Sequence, residues 1–129
     1  MSTTTAETER VVRKHLSAFL QRKGVDAIVS DYGEGARFYT EDQVFIGTAE
    51  IHRFFAQFLE AMPPDATDRF ELRSLKVEGS LAFITWCVQG DIPLGTDTFV
   101  VEGGRIVSQT FAMHAAPGFL PDRPCNRSA

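Results

Sequence analysis

The stretch DTFVVEGGRIVSQTFAMH, residues 97–114, puts a carboxylate at the head of an apolar strand. Asp97 shares strand parity with Phe99 and Val101, while Thr96, Thr98 and Val100 fall on the other, half-polar side. Two readings are open: an acid on a solvated sheet face, or an acid in a cavity. In a cavity, loss of water disfavours the charged form, raises the carboxyl pKa and suits the group to general acid–base work near neutrality. His15 stands three residues after Val12 and four before Phe19, at the border of an apolar helical stripe. It is either a boundary histidine bonded to backbone or water, or a polar group at a cavity wall and a proton partner for Asp97. Tyr32 and Tyr39 are the only 2 tyrosines. A buried phenol needs a hydrogen-bond partner, so each is a ligand contact or a satisfied core group.

Two strands offer walls for such a cavity, or for a simple core. Trp86 has Ala82, Ile84 and Val88 at its parity; Gln109 has Phe111 and Met113. Phe19, Phe55, Phe58 and Phe99 add apolar surface for a bound molecule. The chain holds 11 Phe against 2 Tyr and 1 Trp, so its aromatic area comes mostly without a polar handle. The 3 histidines are scattered and no carboxylates cluster at ligand spacing, so no metal site is expected. Gly103–Gly104 is expected to be a hairpin turn and not a phosphate loop, because no helix follows it. There is no Gly-x-Ser-x-Gly elbow and no cysteine in a nucleophile context. Chemistry here, if any, is acid–base and cofactor-free.

These residues need elements to hold them. Thr4 and Glu7 have capping-box spacing, and Val12, Leu16, Phe19 and Leu20 recur at helical intervals, which predicts a helix over 6–22 stopped by Gly24. Val25, Ile28, Val29 and Tyr32 predict a second short helix, broken by Gly33–Gly35. Residues 36–46 read as a strand, a polar turn at 40–43 and a short return strand. Ile51, Phe54, Phe55, Phe58, Leu59 and Met62 form the apolar stripe of a third helix, ended by Pro63 and Pro64. The period then changes to two, predicting strands at 69–78, 81–90, 95–102 and 105–114. Their short connections favour antiparallel neighbours. Three helices and then strands make an α+β architecture. A strongly curved mixed or antiparallel sheet around them would leave a pocket.

At 129 residues the chain is one domain, with room for a core that needs no staples. We place that domain at residues 1–116, and read 117–129, rich in proline, as an extended or disordered arm. A net charge of -4 with interspersed basic residues argues against nucleic acid. No apolar run approaches a membrane span, and the opening residues do not resemble a secretory signal. Cys87 and Cys125 have no paired spacing and read as reduced thiols, which points to the cytoplasm.

The stretches AIVSDYGEGARFYTEDQVFIGTAEIHRFFAQFLEAM and GTDTFVVEGGRIVSQTF resemble the NTF2-like superfamily, particularly its SnoaL-like and ketosteroid isomerase-like members. The resemblance covers roughly residues 8–114. It rests on element order, the Gly-x-x-x-Ile approach to the third helix and the hairpin around Gly103–Gly104. It implies a cone in which a bent sheet wraps the helices around a mostly apolar cavity. It also places Asp97 at the position of a protonated acid and Tyr32 at that of a supporting tyrosine in ketosteroid isomerases, the relatives whose oxyanion hole is a known case of a neutral buried carboxyl. The isomerase base position falls at about Thr40, whose hydroxyl cannot accept a proton at neutral pH. Glu41 reaches it only by a register shift that turns it to the other face. The tyrosine expected on the first helix is replaced near His15 or Leu16, and another on the third helix by Phe55.

The expected protein is therefore an NTF2-like cone binding a small apolar molecule. It is either an isomerase or cyclase with Asp97, His15 and Tyr32 at its centre, or a non-catalytic binding module of the same shape. Phe83, Thr85, Cys87, Thr98 and Val100 alternate away from the cavity. Superfamily members commonly dimerise through this face, which implies a homodimer.

Overall fold

A computed structural model describes residues 3–115; the expected arm at 117–129 lies outside them. The elements are α1 (Thr5–Leu20), α2 (Val25–Val29), β1 (Tyr32–Tyr39), β2 (Val44–Ile46), α3 (Gly47–Ala61), β3 (Phe70–Glu78), β4 (Leu81–Val88), β5 (Ile92–Glu102) and β6 (Arg105–His114). A single 3-10 turn, Ala66–Arg69, leads into β3. The strands form one sheet in the order β2-β1-β6-β5-β4-β3. All neighbours are antiparallel except β1 and β6, which run parallel.

The start of α1 follows from its sequence. The Thr4 hydroxyl accepts from the Glu7 amide at 3.1 Å, and the Glu7 carboxylate accepts from the Thr4 amide at 3.3 Å. Its end differs from expectation. The helix stops at Leu20, because Arg22 takes the left-handed conformation, with φ 54, ahead of Gly24. Lys23 then donates to the Ala18 carbonyl and Arg22 to that of Phe19, closing a Schellman cap. The Arg22 side chain holds this shape by bonding to Thr67 and the Pro64 carbonyl.

Two strand boundaries also differ. β1 begins at Tyr32, so Gly33 and Gly35 lie inside a strand and do not break the chain. They fall where the pairing with β6 shifts register between Tyr32 and Arg37, a place where missing side chains ease the irregular backbone. β5 begins at Ile92, leaving residues 89–91 as the connection, because Ile92 pairs with Val88 and is buried. The other turns fall where expected. Gly103 and Gly104 both have positive φ, as a two-residue hairpin turn of type I′ demands.

Every antiparallel pairing among β3–β6 contains one register irregularity, and such bulges bend a sheet. α1 packs on β3, β4 and β5, while α3 packs on β1 and β2. The concave side is closed by alternate residues: Ala82, Ile84, Trp86 and Val88 from β4, and Phe99 and Val101 from β5.

Candidate functional site

Asp97 faces inward from the middle of β5, paired with Ile84 on β4 and Phe111 on β6. It is 7% exposed. Trp86 Nε1 donates to its Oδ1 at 2.7 Å, and Gln109 Nε2 donates to its Oδ2 at 2.8 Å. Burial lifts the carboxyl from its ordinary 3.8 to about 6, against the opposing pull of the Trp86 and Gln109 bonds and of His15. The group therefore changes charge near neutrality.

The aim of Trp86 depends on Gly95, its partner across β4 and β5. A Cβ at position 95 would lie 2.2 Å from indole Cε2 and 2.3 Å from Cζ2, so only glycine leaves room for the ring where it stands. Phe70 and Phe111 stack on the indole, with centroids at 5.4 Å and 6.3 Å. The indole held in this way donates from Nε1 to Asp97.

Behind Asp97 lies a second polar layer. The buried Tyr32 hydroxyl donates to Gln109 Oε1 and lies 3.3 Å from His15 Nε2. His15 Nδ1 lies 3.4 Å from Asp31 Oδ2, and Asp31 Oδ1 accepts from the largely exposed Lys14. Burial and the charges of Asp97 and Asp31 push the Tyr32 phenol well above its ordinary 10, so it stays neutral. Burial raises Asp31, but the bonds and charges of His15 and Lys14 outweigh it and hold the carboxyl below its ordinary value. His15 is packed edge-on against the rings of Tyr32 and Phe99, at 5.2 Å and 5.8 Å.

Asp97, Gln109 and His15 reach the wall of a cavity of about 70 Å³. Of the expected contacts, Phe19, Phe55, Phe58, Trp86, Phe99 and Phe111 line it too. Tyr32 sits behind the wall. Tyr39, expected at the cavity, does not line it: it is 40% exposed, because alternation along β1 turns Phe38 inward and Tyr39 out. Met113 packs against the core but does not line the cavity. Phe38, Met62 and Phe70 do, and sequence reasoning missed them. Phe38 shares strand parity with Ala36, but the sequence does not say which side of β1 is buried. Asp31 was also missed; nothing local marks an acid beside Tyr32 as buried. Thr40 is occupied as a turn cap, accepting from the amides of Asp42 and Gln43. No group of three or more His, Cys, Asp or Glu that could hold a metal occurs among the described residues. No helix among them is long and apolar enough to cross a membrane.

The elements define a curved-sheet α+β cone with a carboxylate in its cavity. The chain belongs to the SnoaL-like domain family, which it matches over residues 12–109. It is similar in structure to a candidate ketosteroid isomerase from Kribbella flavida, with TM-score 0.69, 18% identity, and 98% of this chain and 88% of that one covered. A SnoaL-like protein of unknown function from Burkholderia thailandensis gives 0.71 at 18% identity, covering 88% and 99%. A candidate polyketide cyclase from Sinorhizobium meliloti gives 0.66 at 20%, covering 80% and 94%. At such identities the likeness establishes the fold. Comparison with curated protein sequences gave no significant match.

Proposed function

We propose that this protein is a cofactor-independent acid–base enzyme, an isomerase or cyclase acting on a small apolar carbonyl compound, with Asp97 as the proton-transfer group. The observation that carries this reading is a buried carboxylate, held near pKa 6, on the wall of an otherwise largely apolar cavity. Each Asp97 oxygen accepts one bond from the protein and keeps lone-pair capacity for a substrate. As a carboxylate it can take a proton from the carbon beside a carbonyl; the C–H electron pair moves toward the carbonyl, giving an enolate. Returning that proton at another carbon is isomerisation. Attack of the enolate carbon on a second carbonyl of the same molecule, followed by proton return to the new alkoxide, is cyclisation.

The names carried by the Kribbella and Sinorhizobium proteins fall in these two reaction classes. Steroid isomerisation is not part of the proposal. Thr40 caps a turn where a base would be needed, and about 70 Å³ between the side chains holds no four-ring compound unless the surrounding aromatics move. We take the protein to act in the cytoplasm, on a small apolar ligand and without nucleic acid. A second reading, a non-catalytic binding module, is favoured by one observation: among the described residues no carboxylate besides Asp97 lines the cavity.

Exchange of α-protons with solvent deuterium separates the two. A panel of small ketones and diketones is incubated with protein in heavy water and followed by proton NMR. Turnover by Asp97 predicts exchange that falls at least about 100-fold in Asp97→Asn while binding persists, in line with loss of a general base. Ligands that bind without exchanging in the wild type would establish the binding module instead.

A further inference from the structure

The polar groups behind the cavity form one chain of hydrogen bonds, of which the proposed reaction uses only the inner end. It runs from Asp97 through Gln109, Tyr32 and His15 to Asp31 and Lys14 at the surface. Among the described residues no buried side-chain nitrogen or oxygen lacks a partner, so the hydrogens along this chain can be counted. Tyr32 has one hydroxyl hydrogen, the Gln109 amide has a donor end and an acceptor end, and His15 has one or two ring hydrogens.

With Gln109 donating to Asp97, its oxygen receives the Tyr32 hydroxyl. The Tyr32 oxygen must then accept from His15 Nε2, while Nδ1 donates to the Asp31 carboxylate. Both ring nitrogens carry hydrogen, so an imidazolium at position 15 accompanies a carboxylate at position 97. Turning the Gln109 amide over gives a second complete arrangement. Its NH2 faces Tyr32 and its oxygen faces Asp97, which must be a protonated acid. The Tyr32 hydroxyl turns to His15 Nε2, and His15 is neutral. The two arrangements contain the same number of hydrogens and carry the same net charge. Every other combination either protonates Asp31, whose carboxyl Lys14 and His15 hold ionised, or sets two donors or two acceptors against each other in a buried place.

We propose that Tyr32 and Gln109 tie the charge of His15 to that of Asp97, making His15 the positioning residue that keeps the cavity carboxylate ionised and ready to act as a base. This rests on the reading of Asp97 as the proton-transfer group. The tie is reciprocal: whatever neutralises Asp97 favours a neutral His15, and the reverse. Gln109 has no hydrogen to give up, so the chain sets a balance and not a route, and both ends exchange protons with water. The titratable and charged groups that face it are Lys14 and His15 from α1, Asp31 and Tyr32 around the start of β1, and Asp97 from β5. The facing residues of α3 and β4, Phe55 and Trp86, bring no charge. Tyr32 keeps its hydrogen throughout, because burial holds the phenol neutral.

Ring-nitrogen NMR of histidine-labelled protein tests this without any substrate. In the wild type near neutral pH, His15 should carry hydrogen on both ring nitrogens. In Asp97→Asn the new amide accepts from Trp86 and must donate to Gln109, which forces the second arrangement. His15 should then lose the Nε2 hydrogen and keep the one on Nδ1. Loss of a negative charge acting through space has the same sign, but it does not need Tyr32. In a Tyr32→Phe background, therefore, Asp97→Asn should leave the His15 spectrum unchanged; should that background not fold, Gln109→Leu makes the same break. An identical His15 in wild type and Asp97→Asn, or an undiminished response without Tyr32, would overturn the proposal. Coupled spectra without turnover would remove the enzymatic reading and leave this one standing; turnover without coupling would do the opposite.

Discussion

Replacing Asp97 with asparagine should flatten one component of the pH dependence of stability. In the folded protein the carboxyl keeps its proton to about pH 6, whereas an ordinary carboxyl of the unfolded chain releases it near 3.8. Between those values the native state binds more protons, so unfolding becomes easier as pH rises. The stabilisation is whole below the lower value and lost as pH passes the upper one. A rise from 3.8 to about 6, at 1.36 kcal/mol for each pH step, corresponds to about 3 kcal/mol. Asp31 acts with the opposite sign: its carboxyl is held below the ordinary value, so its contribution is lost as pH falls. The wild-type curve mixes the two, and the difference between wild type and Asp97→Asn largely removes Asp31 and leaves the responses of Asp97 and of the His15 tied to it, which have the same sign. Urea unfolding of both proteins from about pH 4 to about pH 7.5 gives that difference directly. The variant should gain on the wild type by at least about 2.4 kcal/mol across the range, the part of the full linkage that falls between these pH values. A difference that does not vary with pH would mean that burial does not perturb Asp97, and would refute the reasoning.

Phe55 is 6% exposed and meets Tyr32, Phe38 and His15, so Phe55→Ala should cost about 3–5 kcal/mol in chemical denaturation. The half-buried Phe58 should cost less. Gly95→Ala should cost about 1–3 kcal/mol and displace the indole of Trp86, shifting the fluorescence of the chain's only tryptophan. We propose that Leu81 and Phe83, 47% and 37% exposed on the outer face of β4, are covered in a homodimer. Sedimentation should show a dimer at micromolar concentration that Phe83→Glu dissociates; a wild-type monomer would contradict it.

Local patterns made much of this fold legible. The capping box of α1, the stripe of α3, and the hairpins of β3–β6 all depend on residues close in sequence. The inward turn of Asp97 could be read only as one of two options, because parity with Phe99 and Val101 does not say which face is wet. The pairing of β1 with β6 joins residues some 70 apart and leaves no local mark, so the meeting of Tyr32 with Gln109 could not be foreseen. Asp31 illustrates the same limit: next to Tyr32 and just after α2 it looks like a solvated acid, and only α1 folding over it supplies Lys14 and His15. Tyr39 was misplaced for a different reason. Phe38 and Tyr39 are both aromatic, and either could have faced inward until Ala36 and Phe38 were seen to share the buried side.

The central claim is that Asp97 is a desolvated cavity acid that changes charge near neutrality. Carboxyl-carbon NMR of aspartate-labelled protein, with Asp97→Asn to assign the resonance, measures this group alone. The account predicts a midpoint near the value of about 6 that burial imposes. A midpoint at or below about 3.9, the ordinary aspartate value, would place the carboxylate in water or in an ion pair and contradict the account.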